Sequence, residues 1–467
     1  MSTNSTAQFL SKAILSIVCV MLFGLPCTSQ GAQLLSVPDG TPSVVNLSEI
    51  GTAGGAFQVA SPNPETNFVG LIDDLSVIPP DAAAAVGTNH LMIAANSQIV
   101  IQDRGGNTIQ TVNLIDFWQG FVGVNGRVFS PKLLYDSSSN RWVMTTCANP
   151  GTPDSRILLA ATLSDDPTQS WVRYSIDVDT NAQAQFWGET SGLGYNDEWV
   201  VATKNIRNII FGGFSFSRLY IFDKSAIYQG LGLGTNEFAE VNEFTTPNIV
   251  PAVSHDSSPG VEYFLANGAG NDGLNNGFLR MFRLTEVSNI FTLSQLPSPT
   301  IDNPWSDAPN AGDADFAPQT NTLNRVWNGD SRIQNVVLRN GSLWAAQTVF
   351  LPSGAATRSS AQWWEINPNS TVIQLGRVDD TNGFRFYAFP SIAVNRNNDV
   401  LLGNFSNFVS FENGCACCDG AEELMQSLDK LMQMKEQELG RDGMKKAPYQ
   451  HLVIECTGVA EPKEVRN

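Results

Sequence analysis

The chain has 467 residues, which leaves room for two or three domains. Hydrophobic residues make up 42% of the sequence and charged residues 15%, a balance that excludes an intrinsically disordered chain. The net charge of −18 excludes nucleic acid as a main binding partner, because phosphate would be repelled. Low charge together with 39 Gly and 9% aromatic residues is typical of an exported, mainly β protein.

The N-terminal region resembles a secretory signal. Residues 13–25 form an apolar run preceded by Lys12 and followed by Pro26 and small residues. The run is shorter than the roughly 20 residues that a membrane-spanning helix needs. We therefore predict a signal peptide over residues 1–32, cut between about Cys27 and Ala32, and a secreted, periplasmic or extracellular protein without a membrane span after cleavage. A single anchoring helix is the alternative.

Composition changes sharply near residue 410. Residues 1–410 contain four Lys and all ten Trp, whereas residues 411–467 contain five Lys, no Trp and four of the seven Cys. We expect four segments: the signal peptide, an N-terminal extension over 33–78, a main domain over 79–410 and a separate tail over 411–467.

The main domain repeats one pattern, in which a short strand of β-branched and aromatic residues is followed by a turn and a second strand. Each copy has one residue at its turn, which we call the turn anchor, and the six anchors are Gly87, Asp136, Asn196, Asp256, Arg339 and Asn395. Successive anchors are separated by 49, 60, 60, 83 and 56 residues. Units of this length with four strands each predict a β-propeller.

Six blades are favoured, and seven are possible if the 83-residue interval holds another blade rather than a long loop. Only about 16 residues separate Asn395 from the tail, so the last blade is expected to be incomplete unless residues 33–75 complete it. A β-sandwich is the structural alternative. The predicted fold is thus mainly all-β, a propeller followed by a short α/β fragment.

Residues 75–408 resemble secreted bacterial-type propeller proteins of unknown function. The resemblance depends on the opening at residues 79–90, the turn at 102–105 and the hairpin at 134–142. It implies no established activity.

Candidate reactive groups in the propeller are few. His90 and His255 are candidates for acid–base work, although both lie at strand–turn junctions, where His often serves the backbone. Cys147 is expected to be a buried thiol. Three short segments that contain acidic residues could bind Ca²⁺ or simply form turns. They are centred on Asp177 with Asp179, Asn271 with Asp272, and Asp313 with Asp315.

The tail carries a cluster of cysteines. Cys415, Cys417 and Cys418 lie within four residues and offer three soft donors, which suits Zn²⁺ or Cu(I). A fourth ligand could be His451 or Cys456, but the spacing selects neither.

Residues 449–454 predict a buried strand that ends in Glu455, with Gly458 three residues later. Phosphate-handling α/β folds place Mg²⁺ and γ-phosphate contacts at such a position. Together with the N-G-C-x-C-C sequence, this pattern resembles the CobW family of metal-chaperone GTPases. The resemblance implies zinc or a related metal on the three cysteines, and it places Glu455 and Gly458 in the Walker B and switch region that faces Mg²⁺ and GTP.

The tail lacks other parts of that family. The chain contains no Gly-Lys dipeptide, and so no G-x-x-x-x-G-K-[ST] loop, and it contains no Asn-Lys-x-Asp sequence for guanine recognition. We therefore predict that the tail neither binds nor hydrolyses GTP. A thiolate site suits a reducing cytosol, whereas a signal peptide implies oxidising surroundings. A fused or mis-joined reading frame would explain this conflict.

Three classes of function remain open. The propeller could be a binding or scaffold module for a glycan, a protein or a surface. It could instead be a secreted hydrolase or lyase, which would need carboxylates or histidines that converge on its central channel. The tail could handle metal in the manner of CobW proteins.

Overall fold

A computed structural model describes eleven ranges of the chain, which are 16–20, 67–72, 74, 76–77, 79–122, 126–179, 185–309, 315–318, 325–398, 400–405 and 451–456. Two strands precede the repeated units, β1 (Ser16–Val20) and β2 (Asn67–Ile72).

The first two units are four-stranded antiparallel meanders. Blade 1 consists of β3 (Ala83–Val86), β4 (His90–Ala94), β5 (Gln98–Asp103) and β6 (Thr108–Asn113), and helix α1 (Leu114–Phe117) follows it. Blade 2 consists of β7 (Val128–Asp136), β8 (Arg141–Ala148), β9 (Arg156–Thr162) and β10 (Trp171–Asp177).

The next two units repeat the meander. Blade 3 consists of β11 (Phe186–Tyr195), β12 (Trp199–Asn208), β13 (Phe214–Asp223), helix α2 (Lys224–Gln229) and β14 (Phe238–Glu243). Blade 4 consists of β15 (Val250–Ser254), β16 (Val261–Ala269), β17 (Gly277–Val287) and β18 (Ile290–Gln295), with the short strand β19 (Thr300–Ile301) also paired to β17.

A small hairpin of β20 (Asp315–Pro318) and β21 (Arg325–Trp327) then interrupts the repeat. Blade 5 consists of β22 (Ile333–Arg339), β23 (Ser342–Leu351), β24 (Arg358–Ile366) and β25 (Val372–Val378). The sixth unit comprises β26 (Ala388–Val394) and β27 (Val400–Phe405) within the described residues. The last strand, β28 (His451–Cys456), pairs with both β1 and β2.

The first strand of each unit is its inner strand, and these inner strands lie side by side. The inner strands of blades 3, 4 and 5 pair in parallel, with Tyr195 opposite Val253 and Ala252 opposite Val336. Gly194 permits this close approach, because a Cβ there would lie 2.3 Å from the carbonyl oxygen of Ala252. Radial four-stranded meanders around adjacent inner strands form a β-propeller, which confirms the predicted fold.

The core lies between neighbouring blades, so the middle strands are covered on both faces. Strands β8, β9 and β23 are buried along almost their whole length, whereas the outer strand β6 is largely exposed. Tryptophans fill the gaps between blades: Trp142 is fully buried between blades 1 and 2, and Trp344 is almost fully buried between blades 5 and 6. Because both faces of these strands are buried, their sequences are apolar runs rather than a strict alternation of apolar and polar residues.

The predicted turn anchors all fall at one end of the inner strands. Each one ends its inner strand or follows it within two residues, and the six are Gly87, Asp136, Asn196, Asp256, Arg339 and Asn395. We call this the turn end and the opposite end, where the inner strands begin, the leading end. Within the described residues, the 83-residue interval contains the later strands of blade 4 and the β20–β21 hairpin.

Candidate functional site

Most of the site residues predicted in the tail lie outside the described part of the chain, namely Cys415, Cys417, Cys418 and Gly458. Glu455 lies in β28, where its backbone pairs with that of Ser16. Their predicted roles therefore stay predictions.

The two histidines of the propeller do not share a site. The Nε2 atom of His90 lies 3.8 Å from Oδ1 of Asp166 in blade 2. The ring of His255 lies against Tyr195, and desolvation followed by the charge of Arg339 lowers the pKa of His255 to about 4. At neutral pH the imidazole of His255 is uncharged, and its contacts differ from those of His90.

The acidic pairs behave as turn residues where the structure describes them. Asp177 accepts the backbone N–H of Asp179 at 3.0 Å, and Asp272 accepts the N–H groups of Leu274 and Asn276. Within the described ranges, no group of three or more His, Cys, Asp or Glu side chains could hold a metal ion. Ordinary turn chemistry explains these two pairs.

The backbone is unusual at the leading end. Four residues beside the starts of inner strands have left-handed φ angles, namely Asp81 (45°), Ser130 (52°), Asn248 (55°) and Phe389 (47°). Asn and Asp adopt this conformation more readily than most residues, and they account for eight of the twelve non-glycine residues of this kind in the described ranges. For a bulky aromatic such as Phe389 it costs energy, and such strain concentrates where structure is shaped for function.

Bulges recur at the same end. The pairing of inner and second strands shifts register in blades 2, 3, 5 and 6, between Phe129 and Lys132, Thr190 and Gly192, Ile333 and Asn335, and Ala388 and Ser391. A bulge turns a side chain out of the regular alternation, and bulges are common beside active sites. These shifts redirect side chains near the start of three inner strands and in the middle of β11.

A first group of polar side chains surrounds Asp81. The hydroxyl of Ser130 donates a hydrogen bond to Asp81, and the Lys132 ammonium lies 4.0 Å from Oδ1 of the same carboxylate. Asn96 holds the bulge, because its Oδ1 accepts the N–H of Ser130 at 2.6 Å while its Nδ2 donates to Pro79. The carboxylate is thus fixed at the start of blade 1.

A second group joins blades 3 and 4. Glu189 accepts from Arg207 at 2.9 Å and from the amide of Asn205 at 3.2 Å. Asn205 also bonds to Asn248 in both directions, donating through Nδ2 at 2.7 Å and accepting the backbone N–H at 2.8 Å.

A third group precedes blade 5. Arg332 binds Asp330 through two hydrogen bonds of 2.7 Å, which is the bidentate geometry that fits a carboxylate best. Desolvation opposes ionisation of Asp330, but the hydrogen bonds and charge of Arg332 outweigh it and lower the pKa of Asp330. Arg332 also interacts electrostatically with Glu189 and Asp81, so the three groups lie within range of one another at the leading end.

Lys204 lies beside these groups and is fully buried. Its ammonium has no hydrogen-bond partner among the described residues, and it interacts electrostatically with Cys147, Lys132 and Asp81. Desolvation lowers the pKa of Lys204. Cys147 is also fully buried, as the sequence predicted.

Aromatic side chains flank the leading end on two sides. Trp187 lies 6.5 Å from Phe129, and Trp327 lies 5.6 Å from Phe389, with distances taken between ring centroids. All four are partly exposed, in contrast to Trp118, Trp142, Trp305, Trp344 and Trp364, which are essentially inaccessible.

Sequence reasoning missed this leading-end site, although one signal was available. Only three Lys follow the predicted signal peptide before residue 410, which are Lys132, Lys204 and Lys224. Lys204 is buried beside this site and Lys132 approaches Asp81, whereas Lys224 is buried at the turn end, so two of the three rare lysines mark the leading end.

Part of the chain matches a known family. Residues 391–467 match the family model for the CobW/HypB/UreG nucleotide-binding domain. This confirms the resemblance predicted for the tail. The match begins inside β26, 20 residues before the expected boundary at 411, so it overlaps the sixth unit of the propeller.

Solved structures with weak similarity include a mutant of the Synechocystis apocarotenoid oxygenase. It has 9% sequence identity and a TM-score of 0.40, and the alignment covers 70% of this chain and 66% of that chain. The chain thus spans just under two thirds of the oxygenase. The parainfluenza virus 5 hemagglutinin-neuraminidase ectodomain has 10% identity and a TM-score of 0.41, with 74% and 80% covered. The propeller assignment rests on the strand order, since similarity at this level adds no argument.

No curated protein sequence matches the chain. Among the residues that the structure describes, no helix is long and apolar enough to cross a membrane.

Proposed function

We propose that the chain joins an exported propeller, which binds a ligand at its leading end, to a partial CobW-like segment that binds zinc without hydrolysing nucleotide. The observation that supports a binding site is the convergence of partly exposed Asp81, Glu189 and Arg332 from three blades onto one end of the propeller. β-Bulges and residues with left-handed φ angles at that end change the direction of the backbone and of its side chains, as is common beside binding and active sites.

The zinc site of the proposal consists of Cys415, Cys417 and Cys418. Thiolates are the ligands that Zn²⁺ prefers in tight sites, and the family match covers these residues. GTP and Mg²⁺ would face Glu455 and Gly458 in a complete domain, but the phosphate-binding Gly-Lys sequence is missing from the chain. Turnover is therefore expected to be absent.

Zinc titration of the purified full chain under reducing conditions tests the tail. We expect the wild type and the control variant Cys147→Ser to bind zinc equally. A triple variant with Cys415→Ser, Cys417→Ser and Cys418→Ser should lose the tight site. Unchanged stoichiometry in the triple variant would refute the zinc site, and measurable GTP-dependent phosphate release would refute the absence of hydrolysis.

Export is proposed from the apolar run at residues 13–25. N-terminal sequencing of the protein from the periplasm or medium of a bacterial host should find a new terminus between residues 28 and 33. Recovery of the uncleaved chain in the cytosol would contradict export. A peptide that spans Asn404 to Cys418 would show that both halves occur in one molecule.

A further inference from the structure

We propose that the leading end of the propeller binds an uncharged saccharide. This rests on the proposed function, in which the propeller binds a ligand at that end, and it names the chemical class. Charge balance, aromatic surfaces and the polar groups between them all point to this class.

Charges at the leading end are already paired. Three carboxylates each have a cationic partner, in the pairs Asp81–Lys132 at 4.0 Å, Glu189–Arg207 at 2.9 Å and Asp330–Arg332 at 2.7 Å. A charged ligand would lose its hydration and find no unpaired counter-charge among these six groups, which costs free energy. An uncharged ligand can bind while all three pairs remain intact.

Aromatic rings supply the apolar surface. Trp187 lies in β11 of blade 3 and Trp327 lies in β21 of the hairpin before blade 5, and each side chain is partly exposed. The C–H face of a pyranose ring is apolar and packs on indole, whereas its hydroxyls point outward to polar groups. Partly exposed indoles and polar groups at one end of the propeller match a ligand with both kinds of surface.

The polar groups between the rings have spare hydrogen-bonding capacity. A guanidinium has five N–H donors, and Arg332 uses two of them on Asp330. The carboxylates of Asp81 and Glu189 retain lone pairs after their present bonds. Planar groups with adjacent donors and acceptors fit vicinal hydroxyls, and their mutual hydrogen bonds hold them in place before the ligand arrives.

Binding to an immobilised array of neutral and uronic-acid-containing oligosaccharides tests the class, with the full chain as the probe. We expect at least one neutral glycan to be bound, with binding weakened at least tenfold by Trp187→Ala combined with Trp327→Ala. Trp171→Phe, on the outer strand of blade 2, serves as the control and should bind as the wild type does. Far-ultraviolet circular dichroism of each variant shows whether the fold is retained.

Three results would overturn the proposal: no neutral glycan bound, preference for uronic acids, or undiminished binding by a folded double variant. If uronic acids are preferred and Arg332→Met abolishes that binding, the leading end is still a ligand site and only the saccharide class is wrong. If neither class is bound and a protein or a cell surface is captured independently of both tryptophans, the site itself is wrong. The zinc titration of the tail is independent of all these outcomes.

Discussion

At the turn end, Lys224 and Asp136 form an ion pair with an Nζ–Oδ2 distance of 2.7 Å, and their side chains are only 6% and 0% exposed. At the leading end, Arg332 and Asp330 form a pair of the same length, but 41% and 40% of their side chains are exposed. The two pairs share their chemistry and differ in their access to water.

The buried pair is surrounded by further bonds. Asp136 also accepts hydrogen bonds from Tyr228 at 3.0 Å and Ser138 at 2.6 Å, while Lys224 donates to the carbonyl of Asn196 at 2.7 Å. These contacts tie helix α2 and the turn of blade 3 to the turn of blade 2. The turn end thus uses charge to fix the blades, whereas the leading end keeps its charges within reach of a ligand.

The largest effect is expected from Lys224→Met. Removing the ammonium leaves the Asp136 carboxylate buried without its cation, a change that costs about 3–5 kcal/mol. The matched change at the leading end, Arg332→Met, should cost less, about 1 kcal/mol, because 40% of the Asp330 side chain is exposed to water. Urea unfolding at neutral pH, followed by tryptophan fluorescence, measures both. Equal losses in the two variants would remove the contrast between the two ends.

The turn end could be predicted from sequence and the leading end could not, for a physical reason. Turns after inner strands are local, so Asp136, Asn196 and Asn395 appear beside their own hairpins with Gly, Asn and Asp as turn signals. The regular recurrence of these turns predicted the arrangement of the blades, and the apolar runs between the turns predicted the strands.

The leading end is assembled from segments far apart in the chain. Asp81, Glu189 and Arg332 are separated by more than 100 residues each, and no spacing rule connects them. Their meeting depends on closure of the blades around one centre and on bulges such as the one between Phe129 and Lys132. A single sequence carries no signal for such long-range placement, apart from the scarcity of lysine.

Lys204 shares its position with one end and its burial with the other. It lies near the leading end, but it is buried like the ion pair at the turn end. Its amine has no hydrogen-bond partner among the described residues, so Lys204→Met, which has a similar length, should stabilise the fold by about 1–3 kcal/mol. Because desolvation lowers the pKa of Lys204 in the folded state, the folded chain releases the proton of Lys204 at a lower pH than the unfolded chain, whose pKa is near 10.5. The unfolded state then binds more protons, and wild-type stability rises with pH between these two pKa values.

The Met variant lacks this dependence, so its advantage should shrink as the pH is raised from about 7 towards 10. Urea midpoints of both proteins across this range measure the effect, with Arg283→Met as an exposed control that should change little. A Met variant less stable than the wild type at neutral pH would mean that the ammonium of Lys204 is charged and paired in the folded protein. The leading end would then hold one more cation, which would favour an anionic ligand over an uncharged saccharide.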